Sequence, residues 1–310
     1  MERLQKSGSV LGVLGALFGL ILGGSVANAT ILPENDLWKV DGMNKGLGLT
    51  QAEFNETIDE VMGVYEPIIR SFGARVQLEK LWTDATVNAR ASRSGTTWKI
   101  SMYGGLARRP EVTKDGMQLV VCHELGHHIA GFPFYKASPF GGMDWAAVEG
   151  QSDYFASQEC LRRVWDHQPR SFVDAQFADE HPKVVEGCDK AWSGSGDRQH
   201  CYRVAAAGLS VARLLGAIGS RPTVPTFDAR DPGVVTETNA AHPAAQCRLD
   251  TFLEGAVCTG HFDVAKIPGR SHRLGQGSVD AEREMAVTSC AAHSGFTTGL
   301  RPRCWFLPRL

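Results

Sequence analysis

Residues 119–131 read Leu-Val-Val-Cys-His-Glu-Leu-Gly-His-His-Ile-Ala-Gly, and the prediction of the fold starts from this stretch. The apolar run before His123 predicts a buried helix, which we place over residues 113–130. His123 and His127 are four residues apart, so they share one helix face, and both imidazoles reach one Zn²⁺ at about 2.0–2.1 Å. Glu124 points slightly around the helix, which places it to act as a base rather than as a ligand.

A second predicted helix, over residues 145–165, supplies the third ligand. Position 133 is Pro133, which excludes the class of zinc site completed by a third histidine in the same segment. Glu149 would complete a site of two histidines and one glutamate, with the fourth position open for water. Asp153, four residues on and on the same face, would accept the free ring N–H of His123. The alternative is a solvated acidic helix start, favoured by the helix dipole.

A third element lies far downstream, where His242 precedes a proline and Arg248 follows six residues later. Taken together, the motifs of the chain resemble the HtpX-like and CAAX-prenyl-protease family of gluzincin peptidases, over roughly residues 76–257. The motifs that carry the resemblance are, in family order, Asn88-Ala89, Gly95, Gly105-Leu106, His123 to His127, Glu149 to Asp153, and His242-Pro243 to Arg248. Because the chain lacks the spanning helices of the integral-membrane members, it resembles the soluble, exported branch.

The resemblance implies a zinc-dependent metalloendopeptidase with one Zn²⁺ per chain. Glu124 would take the proton of a zinc-bound water and deliver it to the leaving amine. His242 and Arg248 would lie beside the developing oxyanion, with Tyr154 as a further candidate. Arg248 has a competing interpretation, a structural cation tied to a carboxylate beneath the site. We expect a polypeptide substrate to add as a strand along residues 97–103, with Trp98, Ile100 and Met102 lining its pockets.

The N-terminus predicts export. Two cations precede an apolar run over residues 10–22, and Ala27-Asn28-Ala29 gives a small-x-small cleavage signature. We interpret residues 1–29 as a signal peptide cleaved near Ala29/Thr30, which predicts a periplasmic or secreted protein. The alternative is an uncleaved N-terminal anchor. No later stretch is apolar enough to cross a bilayer, so we expect no stable transmembrane anchor.

Composition and cysteine usage agree with an exported enzyme. The chain has 310 residues and a formal net charge of −2, which gives no reason to expect a nucleic-acid partner. Its eight cysteines form no C-x-x-C pair, so in an oxidising compartment they predict disulfides rather than a zinc ribbon. We predict two of the pairs, Cys188–Cys201 and Cys290–Cys304.

The arrangement of predicted elements is α+β, in which helices are segregated from a small antiparallel sheet. Strands are predicted over residues 75–82, 87–93 and 97–103, with an edge strand packed on the helix of residues 113–130 and on the third-ligand helix. The expected organisation is a signal peptide over residues 1–29, a helical segment over 30–74, a metallopeptidase domain over 75–260 and a loop-rich segment over 261–310.

Two other functions stay open at this point. The first is a chaperone-like or catalytically weak exported zinc protein in envelope quality control. The presence of Glu124 argues against it, because a purely structural site does not need that base. The second is a zinc hydrolase that acts on a non-peptide amide, which the residues do not distinguish from a peptidase.

Overall fold

The computed structural model describes residues 28–39, 48–136, 142–166, 168, 175–218, 221–272 and 278–310. Most of the predicted signal peptide, residues 1–27, lies outside this part of the chain. Within it, a four-stranded sheet accompanies a larger set of helices, which confirms the α+β class. None of the described helices has the length and apolar character needed to cross a membrane.

The sheet is mixed rather than antiparallel. Its strands are β1 (Asn28–Thr30), β2 (Arg75–Leu81), β3 (Ala89–Ser94) and β4 (Thr97–Tyr103), in the order β1-β3-β4-β2. β3 and β4 form a hairpin around Gly95, whose positive φ of 57° suits a residue without a Cβ. The hairpin inserts β4 between β3 and β2. β2 therefore runs parallel to β4, whereas β1 and β3 are antiparallel.

The prediction that residues 97–103 form an edge strand to which a substrate adds is wrong. β4 is hydrogen-bonded to a strand on both sides, so it has no free edge, and its Trp98, Ile100 and Met102 are buried in the core. The sheet edges among the described residues belong to β1 and β2. It is β3, rather than β4, that lies mainly against the metal-site helix, and β1 covers the outer edge of β3.

Ten α-helices are described, and the helix predicted over residues 113–130 is confirmed as the third of them. In chain order they are α1 (Gln51–Ser71), α2 (Gly104–Ala107), α3 (Lys114–Ile129), α4 (Glu149–Phe155), α5 (Leu161–Asp166), α6 (Ala175–Glu180), α7 (Pro182–Ala191), α8 (Ser195–Gly216), α9 (Ala245–Val257) and α10 (Val279–Ala286). Thr50 caps α1 through a capping box with Glu53, and Thr113 caps α3. A wider turn over Ala156–Cys160 joins α4 to α5.

The second ligand helix begins at Glu149, four residues later than predicted. The residues before it are extended, because Ala147 pairs with Phe134 and donates its N–H to the His127 carbonyl. The Val148 N–H in turn donates to the carbonyl of Pro133. This short pairing ties the end of α3 to the start of α4 and thereby fixes where Glu149 enters the site.

α3 and α4 pack so closely that only a small residue fits between them. A Cβ added at Gly126 would lie 2.9 Å from the Ser152 Cα. Ordinary contacts are longer by about 0.5 Å or more, so any side chain at this position would push the two ligand helices apart. The disulfide Cys122–Cys160 links α3 to the residues that follow α4 and reinforces this contact.

All eight cysteines are paired in four disulfides. The predicted pair Cys188–Cys201 is confirmed, whereas Cys290–Cys304 is wrong. The observed pairs are Cys247–Cys304 and Cys258–Cys290, which start at the beginning and just past the end of α9. The prediction failed because both C-terminal cysteines fold back on α9 instead of bracketing their own loop. Two disulfides therefore attach the C-terminal segment to that helix.

We expect the Cys122–Cys160 disulfide to stabilise the metal site as well as the fold. Replacing both cysteines by alanine should cost about 4 kcal/mol of unfolding free energy, because the bond closes a loop with a sequence separation of 38 residues. It should also weaken metal binding, since the helices that carry the ligands would then be held less firmly. Denaturant unfolding and metal titration measure the two effects.

The matched control replaces Cys188 and Cys201 by alanine. Their loop has a separation of 13 residues, so the expected loss is about 3 kcal/mol. Because this bond joins α7 to α8, the control should leave metal affinity unchanged. Equal loss of metal affinity in both double variants would contradict a specific role for Cys122–Cys160.

Candidate metal centre

Three side chains from α3 and α4 converge on one point. The Nε2 atoms of His123 and His127 lie 3.0 Å apart. The Glu149 Oε2 lies 3.3 Å from Nε2 of His123, and its Oε1 lies 3.6 Å from Nε2 of His127. Ligand atoms at about 2.0–2.1 Å from a tetrahedral ion are roughly 3.3 Å apart, so the spacing fits a single cation. The three residues could therefore hold a metal ion, as the sequence predicted.

The other ring nitrogens are held by partners that orient both imidazoles. His123 donates its Nδ1–H to Oδ1 of Asp153 at 2.8 Å, the contact that the helical spacing predicted. His127 donates its Nδ1–H to the Ala147 carbonyl at 2.8 Å. Both Nε2 atoms consequently face Glu149. Such outer contacts fix the tautomer of a ligand histidine and raise its basicity.

Arg248 lies behind His123, on the side away from the converging ligand atoms. It is fully buried and donates from Nε and Nη2 to the two oxygens of Asp153, each at 2.6 Å. Its Nη1 donates to the carbonyl of Ile31. The two bonds to Asp153 orient that carboxylate and, through it, His123. The placement therefore favours the interpretation of Arg248 as a structural cation beneath the site over a role beside the oxyanion.

Glu124 is buried beside the ligands, and neither of its carboxylate oxygens has a hydrogen-bond partner among the described residues. Burial, together with the like charge of Glu149, raises the pKa of Glu124 to about 8. A buried polar atom without a partner is costly, so such atoms usually mark a missing water, ion or reactant. The Glu149 Oε2 is likewise without a hydrogen bond, and both observations fit a site built for a cation and a reacting molecule.

The pKa values of the three converging side chains indicate how a metal ion would be accommodated. Burial opposes charge on His123, but Asp153 and Glu149 outweigh it and raise the pKa of His123 to about 9. Burial lowers the pKa of His127 to about 4. Burial also opposes the charge of Glu149, but the two histidines outweigh it and hold the pKa of Glu149 well below its usual range. The cluster thus holds one positive charge next to Glu149. A metal ion would replace that proton, because ligand imidazoles must be neutral.

Two further side chains border the ligands. His242 places its Nε2 3.6 Å from Oε2 of Glu149 and 2.7 Å from the Thr30 carbonyl, so the structure brings this distant residue to the site. Tyr135 donates its hydroxyl to Oε1 of Glu149 at 2.8 Å. Tyr135 was not predicted, because its one sequence signal is its position in the connection between the ligand helices. Its contact with Glu149 depends on the extended pairing of Phe134 with Ala147 and of the Tyr135 N–H with the Ala146 carbonyl.

Tyr154, the further candidate for the oxyanion, does not reach the metal centre. Its buried hydroxyl donates to the carbonyl of Gly299 and accepts the Cys290 N–H at 3.3 Å. It therefore fastens α4 to the C-terminal segment. Trp305 from the same segment packs against Gly150, where an added Cβ would lie 2.3 Å from the indole ring. The C-terminal residues thus support the ligand helix from the side opposite α3.

The ligand set predicts the metal content of the variants. Mature protein should carry about one zinc ion per chain, and His123→Ala or Glu149→Ala should lose it, because each removes one of the three donors. Glu254→Ala is the control, since this carboxylate contacts Gly299 and Arg230 instead of the site. Elemental analysis after dialysis gives the measurement. Unchanged zinc in the Glu149 variant would remove that residue from the ligand set.

Arg248→Ala should destabilise the fold by about 3–5 kcal/mol, because it leaves the charge of Asp153 buried without its partner. The exposed pair Arg70–Glu66 offers a control, and Arg70→Ala should cost no more than about 1 kcal/mol. Denaturant unfolding measures both variants, and turnover is measured on the folded fraction. A stable Arg248 variant with a strongly reduced kcat would instead support the oxyanion assignment.

Comparison with models of protein families, with curated proteins and with solved structures gives no match to this chain. The resemblance to the HtpX-like gluzincin family therefore stays a prediction carried by the motifs. What the structure adds is the convergence of His123, His127 and Glu149, with Asp153 and Arg248 behind them.

Proposed function

We propose that this protein is a zinc-dependent metalloendopeptidase that hydrolyses peptide bonds of exported proteins. The observation that carries the proposal is the position of Glu124, a buried carboxylate without a hydrogen-bond partner among the described residues, next to the converging ligands. A site that only held a metal for stability would leave this costly group without a purpose.

Zinc is the proposed metal because two imidazoles and one carboxylate are a donor set that suits it, and because three protein ligands leave a position open. When bound, zinc supplies a Lewis acid that polarises a carbonyl and acidifies a water molecule. The residues that would hold it are His123, His127 and Glu149.

Each of the side chains around the ligands has a separate proposed role in the reaction. Glu124 is the buried carboxylate beside the ligands, so it is the group placed to accept a proton from the attacking water and to return it to the leaving amine. Tyr135 and His242 are the donors that border Glu149, so they are the proposed partners of the developing oxyanion. Arg248 is proposed as a positioning residue, because it reaches His123 through Asp153.

Export of the protein and of its substrates is part of the proposal. Four disulfides with no free cysteine fit an oxidising compartment. Together with the predicted signal peptide of residues 1–29, they support a periplasmic or secreted enzyme that acts on polypeptides in the same compartment.

A second candidate, a chaperone-like zinc protein without strong catalysis, is favoured by the burial of the site. His123 and Glu124 are 0% exposed and Glu149 is 1% exposed. Structural zinc sites are closed in this manner, whereas catalytic sites keep an open position. The two candidates differ in what they require of Glu124.

Glu124→Gln separates the candidates, because glutamine keeps the shape of the side chain but cannot accept the proton. The variant should retain its zinc and its melting temperature, while hydrolysis of casein and of a peptide library falls at least about 100-fold. A chelator should abolish the activity of the unchanged protein, and restored zinc should return it. Near-normal turnover in Glu124→Gln would refute the proposed base. No turnover in any preparation would favour the second candidate.

A further inference from the structure

Residues 28–32 contact two side chains that surround the candidate metal centre. β1 pairs with the outer edge of β3, with Ala29 opposite Ala91 and Thr30 opposite Arg90. The carbonyl of Thr30 accepts a hydrogen bond from Nε2 of His242 at 2.7 Å. β1 therefore combines an antiparallel main-chain pairing with a direct contact to a residue that borders the ligands.

The two residues after β1 hold the segment in place. The carbonyl of Ile31 accepts a hydrogen bond from Arg248. Leu32 pairs through both its N–H and its carbonyl with the side-chain amide of Asn88, each at 3.1 Å. Ile31 and Leu32 are both fully buried. The Ile31 amide lies near Glu124 without meeting the geometry of a hydrogen bond, and it counters part of the rise in the pKa of Glu124.

Ala29 fills a small pocket next to the ligand helices. Its side chain is 1% exposed and forms a cluster with Ala91, Ala146 and Trp145. Trp145 cannot easily move aside, because its ring stacks on His128 at a centroid distance of 4.8 Å. The neighbouring Asn28 is exposed. A larger side chain at position 29 would therefore not fit the pocket, whereas one at position 28 would extend into solvent.

An extended polypeptide substrate would pair with the outer edge of β3, which β1 occupies. Main-chain addition to a sheet requires a free strand edge, and the edge of β3 is the one that leads to His242 and Glu149. β4 offers no edge, and β2 lies at the far side of the sheet. β1 and a polypeptide substrate cannot both pair with β3. Whichever of the two is seated excludes the other.

We propose that residues 28–30 act as an internal occupant of the substrate edge and keep the intact chain latent. The inference rests on the proposed peptidase function and adds regulation of that same site. The predicted cleavage point, between Ala29 and Thr30, lies inside β1. Cleavage there takes away the residues opposite Ala91 and Ser92, while Ile31 and Leu32 stay anchored. The pocket left by Ala29 then receives a small side chain of the substrate.

The extent to which β1 lowers the apparent affinity for a substrate depends on the fraction of time for which the edge of β3 is free. An occupant that leaves only about one-hundredth of the time weakens the apparent affinity for a competing peptide about 100-fold. A substitution that expels β1 should recover much of that factor. The same substitution should also release from protection those amide hydrogens of β3 that face β1 rather than β4, whether or not the protein hydrolyses anything.

The test compares Ala29→Trp with Asn28→Trp, which adds the same bulk at the exposed neighbour. Both are made in the full chain by membrane-free synthesis, so that the Ala29–Thr30 bond stays intact, and both carry Glu124→Gln to prevent turnover. The probe is a fluorescein-labelled peptide with the sequence of residues 24–30. Hydrogen exchange of residues 89–94 reports whether β1 is seated, and fluorescence anisotropy reports probe binding.

We expect Ala29→Trp to speed exchange in β3 and to bind the probe at least about tenfold more tightly than Asn28→Trp. Faster exchange without tighter binding would overturn the proposal, because β3 would then be free but not a docking edge. Equal exchange and equal binding in the two variants would overturn it as well. If Ala29→Trp fails to fold, Ala29→Asp serves the same purpose, since it places an unpaired charge in the apolar pocket.

The proposed peptidase function is judged separately, on the same variants with Glu124 restored. Casein hydrolysis should rise at least about tenfold in Ala29→Trp relative to Asn28→Trp. Absence of hydrolysis in both, with the expected difference in probe binding, would reject the peptidase function but keep the occupant. Hydrolysis at equal rates in both would reject the latency and keep the peptidase.

Discussion

The buried ion pair between Arg248 and Asp153 is the contact on which the rest of the site depends. It joins α9 to α4, and it continues to His123 on α3 and to the Ile31 carbonyl beside the sheet. Removing two charges from water costs several kcal/mol per ion, and a buried pair recovers this only with good geometry and additional hydrogen bonds. Here the guanidinium is bidentate and both Asp153 oxygens are satisfied. The pair therefore fixes how four separate segments meet.

Other features offset the cost of keeping charged groups in the interior. Glu124 is buried without a hydrogen-bond partner in the described part of the chain, and this destabilises the fold. Gly126 allows the ligand helices to approach, and Cys122–Cys160 links them beside the histidines. Cys247–Cys304 and Cys258–Cys290 attach the C-terminal segment, whose Trp305 supports α4. Covalent links thus surround a site whose own polar groups oppose folding.

Contacts between residues close in the sequence could be predicted, whereas contacts between distant segments could not. His123, His127, Glu149 and Asp153 were predictable, because their spacing within a helix determines which side chains share a face. Contacts between distant segments leave no such periodic signal. The insertion of β4 between β3 and β2, the Glu149 contact of Tyr135 and the pairing of Cys290 with Cys258 all depend on tertiary packing. Arg248 was located correctly at the site, yet its orientation behind His123 followed only from the structure.

The proposed occupant and the metal are connected through the same side chains. Arg248 holds Ile31 with one nitrogen and Asp153 with the others, and Asp153 orients the ligand His123. His242 likewise contacts the Thr30 carbonyl and lies beside Glu149. Because Ile31 stays anchored when residues 28–30 leave the sheet, the link that changes is the one through Thr30 and His242, which lies beside Glu149. Because such coupling is reciprocal, a metal ion held by Glu149 would in turn bias the seating of residues 28–30. Occupancy of the outer edge of β3 and affinity for a metal ion are therefore expected to depend on each other.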